Sequence, residues 1–353
     1  MEKLNKLRQK LEEANLDAIL ITSPVNRRYM TGFTGTAGAV IVSHDDARFI
    51  TDFRYIEQAG EQAVGFTVVE HKQLIHQEIR DQLNQMNVKR LGFEKDHVTF
   101  TSYELYKETF DAELAGVSGM VEALRLFKSK HELSILKQAA QIADDAFQHI
   151  QGYIKPGVKE IDIANELEFF MRKQGAVSSS FDIIVASGYR GALPHGVASD
   201  KEIQSGELVT MDYGALFNGY CSDITRTVAV GEISTELNTI YDTVLKAQLL
   251  GVDGVKPGIT GKEADALTRD YIKEQGYGDY FGHSTGHGLG MEVHESPSLS
   301  FRSDKELKAG MVVTVEPGIY VPNVGGCRIE DDIVVTESGN DRLTSAPKDL
   351  IQL

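Results

Sequence analysis

Two cysteines in 353 residues are too few for a disulfide framework. Basic residues are also in short supply: 36 Lys and Arg stand against 52 Asp and Glu, a net charge of −16. That deficit disfavours nucleic acids and anionic membranes as partners, because both repel an acidic surface. No run approaches the ~18 apolar residues of a membrane span. Residues Met1 to Arg8 read as the start of a charged amphipathic helix and lack the apolar segment of a secretory leader. The expectation is a reduced, cytoplasmic setting. The glycine-rich stretch Gly32 to Gly38 lacks the lysine of a phosphate loop and the fuller dinucleotide fingerprint, so it reads as a turn before a strand.

What is present is an ordinary globular composition, 41% apolar and 25% charged, on a chain long enough for about two domains. Residues 1–124 alternate helical and strand patterns. Helices are expected at 4–14, 53–62, 74–86 and 101–110, and strands at 17–22, 39–43, 48–51, 66–70 and 91–94. Such alternation indicates a small α/β domain. A long helix from about His131 to Tyr153 puts the boundary between Leu124 and Ser129.

The remainder, 125–353, looks internally duplicated. Lys155-Pro156-Gly157 opens a helical stretch ending at Gly175, and Lys256-Pro257-Gly258 opens another ending at Gly276. Each follows a longer helix and precedes a histidine-bearing loop and a hairpin with two carboxylates. Asp212 and Asp223 belong to the first hairpin, Glu316 and Glu330 to the second, and His287 lies between. The predicted architecture is helix, helix, strand and hairpin, twice over, about a pseudo-twofold axis where the acids meet.

A turn around Phe217-Asn218 would set Asp212 and Asp223 opposite each other, ~5 Å apart on one face. Like charges so placed take up protons unless a cation relieves them. Two divalent ions would balance four carboxylates charge for charge. Oxygen donors with one imidazole suit Mn²⁺, Co²⁺, Fe²⁺ or Zn²⁺.

The segments Met211-Asp212-Tyr213-Gly214, Ser222-Asp223-Ile224-Thr225-Arg226-Thr227, Gly286-His287-Gly288, Val293-His294-Glu295, Val315-Glu316-Pro317-Gly318 and Arg328-Ile329-Glu330-Asp331 resemble those of the "pita-bread" metallopeptidases. The similarity is to the branch holding Xaa-Pro dipeptidases (prolidases) and aminopeptidase P. It implies an α+β fold, with a creatinase/prolidase-type α/β domain over 1–124 and a pita-bread catalytic domain over 125–353. It also implies two divalent metal ions per subunit, manganese first and cobalt, iron or zinc as substitutes. Asp212 would ligate one metal and Asp223 bridge both. His287 and Glu316 would ligate the other, and Glu330 would complete the bridge.

A hydroxide shared by the metals would attack the scissile carbonyl, with Glu316 shuttling the proton. His195 and His294 would meet the substrate carbonyl and the developing negative charge. His283 and Tyr320 would line the proline pocket, and Arg328 would hold the bridging acids from behind. Cys221 and Cys327 read as buried packing thiols. The implied partners are a peptide with a free N-terminus and a second copy of the chain, in a homodimer. Alternatives within the fold are a methionine-type aminopeptidase, a metal-free creatinase-type amidinohydrolase and a non-catalytic peptide- or histone-binding module. The last two lack the five-ligand set that this chain retains.

Overall fold

Leu4, Leu7 and Leu11 recur at helical spacing and are buried on one face of α1 (Glu2–Glu13). In the computed structural model, which describes residues 2–353, this helix opens one of two units. The first unit runs through Arg125, and the second from Leu126 to Leu353. The first continues as β1 (Ala18–Ile21), α2 (Pro24–Thr31), β2 (Ala39–Ser43), β3 (Ala47–Thr51), α3 (Ile56–Gln62) and β4 (Thr67–Glu70). It ends with α4 (Ile75–Gln85), β5 (Arg90–Glu94), α5 (Phe100–Thr109), β6 (Glu113–Val117) and α6 (Glu122–Arg125). Its strands form one mixed sheet in the order β4-β3-β2-β1-β5-β6. Alternate residues of the central strands, Ala18 and Leu20 among them, share a core with Ile79 and Leu83 of α4.

Three elements of the first unit go beyond those the sequence pattern predicts: α2, β6 and the four-residue α6. The signals for α2 are local: Ser23 caps its start, Pro24 stands in its first turn and Gly32 follows its end at φ 77°. β6 is an edge strand, Glu-Leu-Ala-Gly-Val, with a single β-branched residue to announce it.

The second unit starts at a capping box. The Ser129 side chain accepts from the Glu132 N–H, and the Glu132 side chain accepts from the Ser129 N–H, opening α7 (Lys130–Ile150). There follow α8 (Glu160–Lys173), β7 (Ser178–Ser179), β8 (Ile184–Ser187), β9 (Glu207–Tyr213), β10 (Ala215–Phe217), β11 (Tyr220–Cys221) and β12 (Ile224–Val230). The second half supplies α9 (Thr235–Gly254), α10 (Gly261–Glu274), β13 (Gly286–Gly288), β14 (Glu295–Leu299) and β15 (Val312–Val315). It closes with β16 (Gly318–Val321), β17 (Gly325–Arg328), β18 (Asp331–Val335) and β19 (Asn340–Arg342). The duplication holds: β8-β9-β12 and β13-β15-β18 are antiparallel triplets in the same order, each following its own helix pair. Phe147 and Leu167 pack on Met211 and Val228 in one half, and Val252 and Ala264 share a core with Val313 and Ile333 in the other. No described helix is long and apolar enough to cross a membrane.

One expectation about the first hairpin is corrected. Its ladder pairs Asp212 with Thr225 and Phe217 with Tyr220, so the turn falls at Asn218-Gly219 and not at Phe217-Asn218. Both turn residues have positive φ, 49° and 85°, which is the geometry of a two-residue hairpin turn. In that register Asp223 stands across from Gly214, a diagonal step from Asp212 on the same face. Gly214 is required there: a Cβ would lie 1.7 Å from the Ser222 carbonyl oxygen.

Candidate metal centre

Three of the four acids sit where a ladder is interrupted. Glu316 falls between β15 and β16, and its N–H donates to the Thr285 carbonyl (2.7 Å). Glu330 falls between β17 and β18, and its N–H donates to the Thr225 carbonyl (3.1 Å) in the other half. Asp223 precedes β12, with its N–H on Asp332 Oδ2 at 2.9 Å. The backbone donors are thus satisfied outside the hairpin ladders, while the side chains line one cavity.

Asp223, His287 and Glu330 each offer an atom within 4.8 Å of the other two. His287 Nε2 lies 3.3 Å from Glu316 Oε1 and 3.6 Å from Asp223 Oδ2. Its Nδ1 donates to the Gly288 carbonyl (3.1 Å), which fixes the tautomer and leaves the Nε2 lone pair free for a cation. Asp212 accepts from Arg328 at Oδ2, but Asp212 Oδ1 and Asp223 Oδ1 are buried without a hydrogen-bond partner. Orphaned carboxylate oxygens are costly in a protein interior. Together with three further acceptors they fit a hard or borderline divalent cation.

The electrostatics agree. Burial, reinforced by neighbouring carboxylates, pushes Asp223 and Glu330 well above the usual carboxylate range. Burial raises Glu316 to about 8, against the opposing pull of Arg328. Burial also lowers His287, favouring the neutral ring that a cation needs.

The cavity, about 510 Å³, is lined by all five residues with His195, His283, His294 and Arg328. Phe181, Ile184, Val197 and Val293 form its apolar wall. His195 and His294 are exposed, and the His294 ring lies 4.4 Å from that of His287, edge to face. Tyr320 is absent from the lining. Its hydroxyl accepts from Arg328 Nη1 (2.7 Å) and donates to His283 Nε2 (2.7 Å), because His283 Nδ1 already donates to the Ser284 carbonyl. Burial and the nearby arginines bring His283 down to about 4, so it stays neutral in this chain of bonds.

The expectation that Arg328 holds the bridging acids is corrected: it hydrogen-bonds to neither Asp223 nor Glu330 and meets Glu330 only through Thr225. It reaches Asp212, Tyr320, Thr225 Oγ1 (3.1 Å) and the Pro194 carbonyl (3.1 Å). Thr225 donates in turn to Glu330 Oε2 at 2.7 Å, and Thr314 donates to Glu316 Oε1 at 3.2 Å. These two threonines go unnoticed in the sequence. Each stands two residues from an acid, the spacing that puts both on one face of an extended chain.

A family model described as metallopeptidase family M24 matches residues 134–337, and one described as creatinase/prolidase N-terminal domain matches 3–127. The chain is similar to an Xaa-Pro dipeptidase of Pyrococcus furiosus, 42% identical, with 99% of each chain covered. Among solved structures it is similar to an Xaa-Pro dipeptidase from Bacillus anthracis, at TM-score 0.99 and 61% identity, covering 100% of this chain and 99% of that one. An X-Pro aminopeptidase from Thermotoga maritima follows at TM-score 0.92 and 39% identity, covering 98% of this chain and 100% of the other.

Proposed function

This chain belongs to metallopeptidase family M24, and from that premise we propose that it is an exopeptidase with two divalent ions that cleaves between an N-terminal residue and proline. The observation that carries the reading is the pair of orphaned oxygens, Asp212 Oδ1 and Asp223 Oδ1, in one cavity with His287, Glu316 and Glu330. These five residues would hold the ions, manganese being the expected occupant. When bound, the ions supply Lewis acidity and a water acidified towards neutral pH.

The chain's own residues do the rest. Glu316, which lines the cavity beside His287, takes up the proton given off by the attacking water and returns it to the leaving amine. His195 and His294, exposed on the cavity, donate to the negative charge that develops on the carbonyl oxygen. The His283–Tyr320–Arg328 chain keeps the side of Asp212 in place. Phe181, Ile184 and Val293 give the apolar wall on which a substrate side chain or ring packs. A peptide bond to proline has no N–H, so recognition by position replaces recognition by hydrogen bond. The activities named for the relatives supply the preference for proline. A cytoplasmic homodimer is part of the same reading.

The test is hydrolysis of Ala-Pro, Ala-Pro-Ala and Met-Ala-Ser by metal-stripped protein before and after adding Mn²⁺. Metal-dependent cleavage of the proline peptides is expected. Ala-Pro alone identifies a dipeptidase, and preference for Ala-Pro-Ala an aminopeptidase of the P type. Preference for Met-Ala-Ser moves the assignment to methionine-type action. Protein that holds two ions and cleaves none of them overturns the peptidase assignment.

A further inference from the structure

The His195 side chain hydrogen-bonds to none of the described residues, although it lines the cavity. Its place is therefore set by its backbone, the segment Ser187–Ser199 that leaves β8 through a 3-10 turn at Gly188–Ala192. The tip is lightly packed, Leu193 and Val197 being 51% and 48% exposed, and Arg328 Nη1 meets it at the Pro194 carbonyl (3.1 Å).

Both ends of that segment meet at one carboxylate. Glu160, fully buried in the first turn of α8, accepts at Oε1 from the Ser187 N–H and the Ser187 hydroxyl, each at 2.8 Å. At Oε2 it accepts from the Ser199 N–H (3.2 Å), the Ser199 hydroxyl (2.6 Å) and Arg190 Nη1. Arg190 spans the loop by donating from Nη2 to the Val197 carbonyl at 2.9 Å. Opposite this clasp the segment rests backbone to backbone on β17, where a Cβ on Gly191 would lie 3.0 Å from the Gly326 nitrogen.

The other half of the duplication repeats the device. Asp265 of α10, also buried, accepts from the Thr285 N–H (3.0 Å) and hydroxyl (2.9 Å) and pairs with Arg269 at 2.6 Å. His287 lies two residues beyond Thr285. A buried helix acid, its arginine and a hydroxyl residue at the root of the imidazole-bearing segment thus occur twice.

We propose that Glu160 is a positioning residue, clasping Ser187–Ser199 into a closed loop that sets the place of His195 over the cavity. This rests on the reading of His195 as a donor to the charge that develops on the substrate carbonyl. An amide at position 160 would turn one acceptor into a donor and face it to donors, so the hydrogen bonds at one end of the clasp are lost and the loop between Ser187 and Ser199 loosens.

The experiment compares full-length Mn²⁺-loaded wild type, E160Q, H195N and the double variant on Ala-Pro. E160Q should lower kcat on the order of ten- to a hundredfold, the loss a misplaced catalytic group brings, with KM little changed. In the H195N background the same change should cost less than about twofold, because the two residues act as one unit. Hydrogen exchange on the metal-free protein reads the clasp directly. Amides of 187–199 should exchange faster in E160Q, while those of 207–213 stay as in wild type. If E160Q does not fold, S187A/S199A keeps the carboxylate and should move both readouts in the same direction by less. Unchanged exchange over 187–199, or losses that add in the double variant, would overturn the proposal. Full activity of H195N instead removes the premise about His195, and the exchange result then still judges the clasp.

Discussion

A hydroxyl fixes the direction of each of two acids in the site. Thr225 sits between the Arg328 guanidinium and Glu330 Oε2, donating to the acid and accepting from the arginine. Replacing it with valine keeps the shape and removes both bonds. Thr225→Val should weaken Mn²⁺ affinity about ten- to a hundredfold, as loss of a partner behind a ligand does. Calorimetric titration checks this, and an unchanged affinity would show that Glu330 needs no such support. The two thiols behave oppositely, as inert packing. Burial pushes Cys221 and Cys327 up to about 12, so neither should react with iodoacetamide at pH 8 until urea unfolds the chain. Mass spectrometry of the labelled protein decides this. The carboxylates and His287 are legible in sequence because they interrupt apolar, β-prone runs at matching places in two repeats. The threonines are not, because a threonine in a strand needs no explanation; the acid that Thr225 meets lies about a hundred positions away, and Thr314 beside Glu316 reads as one more β-branched strand residue.

Hairpin geometry sets what the elements do. Asn218-Gly219 fixes the register, and Gly214 lets the two backbones close up beside Asp223. The two glycines should therefore fail differently. Gly219→Ala places a Cβ at φ 85° and should cost about 1–2 kcal/mol of stability while leaving Mn²⁺ affinity intact. Gly214→Ala forces the Ser222 carbonyl away and should lose stability and Mn²⁺ affinity together, as urea unfolding and titration can show. Equal metal affinity in the two variants would contradict the part given to Gly214. At this scale the sequence carries the helix pairs and the alternation of the first unit well, since periodicity and caps are local. Register is harder. The strand pattern fits a turn one residue earlier almost as well, and only the demand for positive φ at both turn positions selects Asn218-Gly219.

Across the whole chain the buried acids make stability depend on pH and on metal. Glu316 moves from an ordinary 4.5 to about 8 on folding, and Asp223 and Glu330 are raised as well. Between these limits the folded, cation-free chain binds more protons than the unfolded one, so its stability falls as pH rises. The lowered histidines His283, His287 and His294 act only below their unfolded value of 6.5. From pH 6.5 to 8, Tm of the stripped protein should therefore decline, and saturating Mn²⁺ should abolish the decline while releasing protons. Calorimetry in two buffers of different ionisation enthalpy measures the release. A flat Tm profile for the stripped protein would remove the raised acids as its cause.

The cation-facing residues come from both halves of a duplicated chain: Asp223 from one, and His287 and Glu330 from the other. In polymer terms, an ion held by them is a crosslink that closes a loop of roughly a hundred residues, and such a closure removes chain entropy from the unfolded ensemble. An ion so held would be a knot in the network, whatever else it does. Whatever chelates the ion slackens the tie between the two repeats, and a protein adapted to scarce metal would have to find that tension elsewhere in its core.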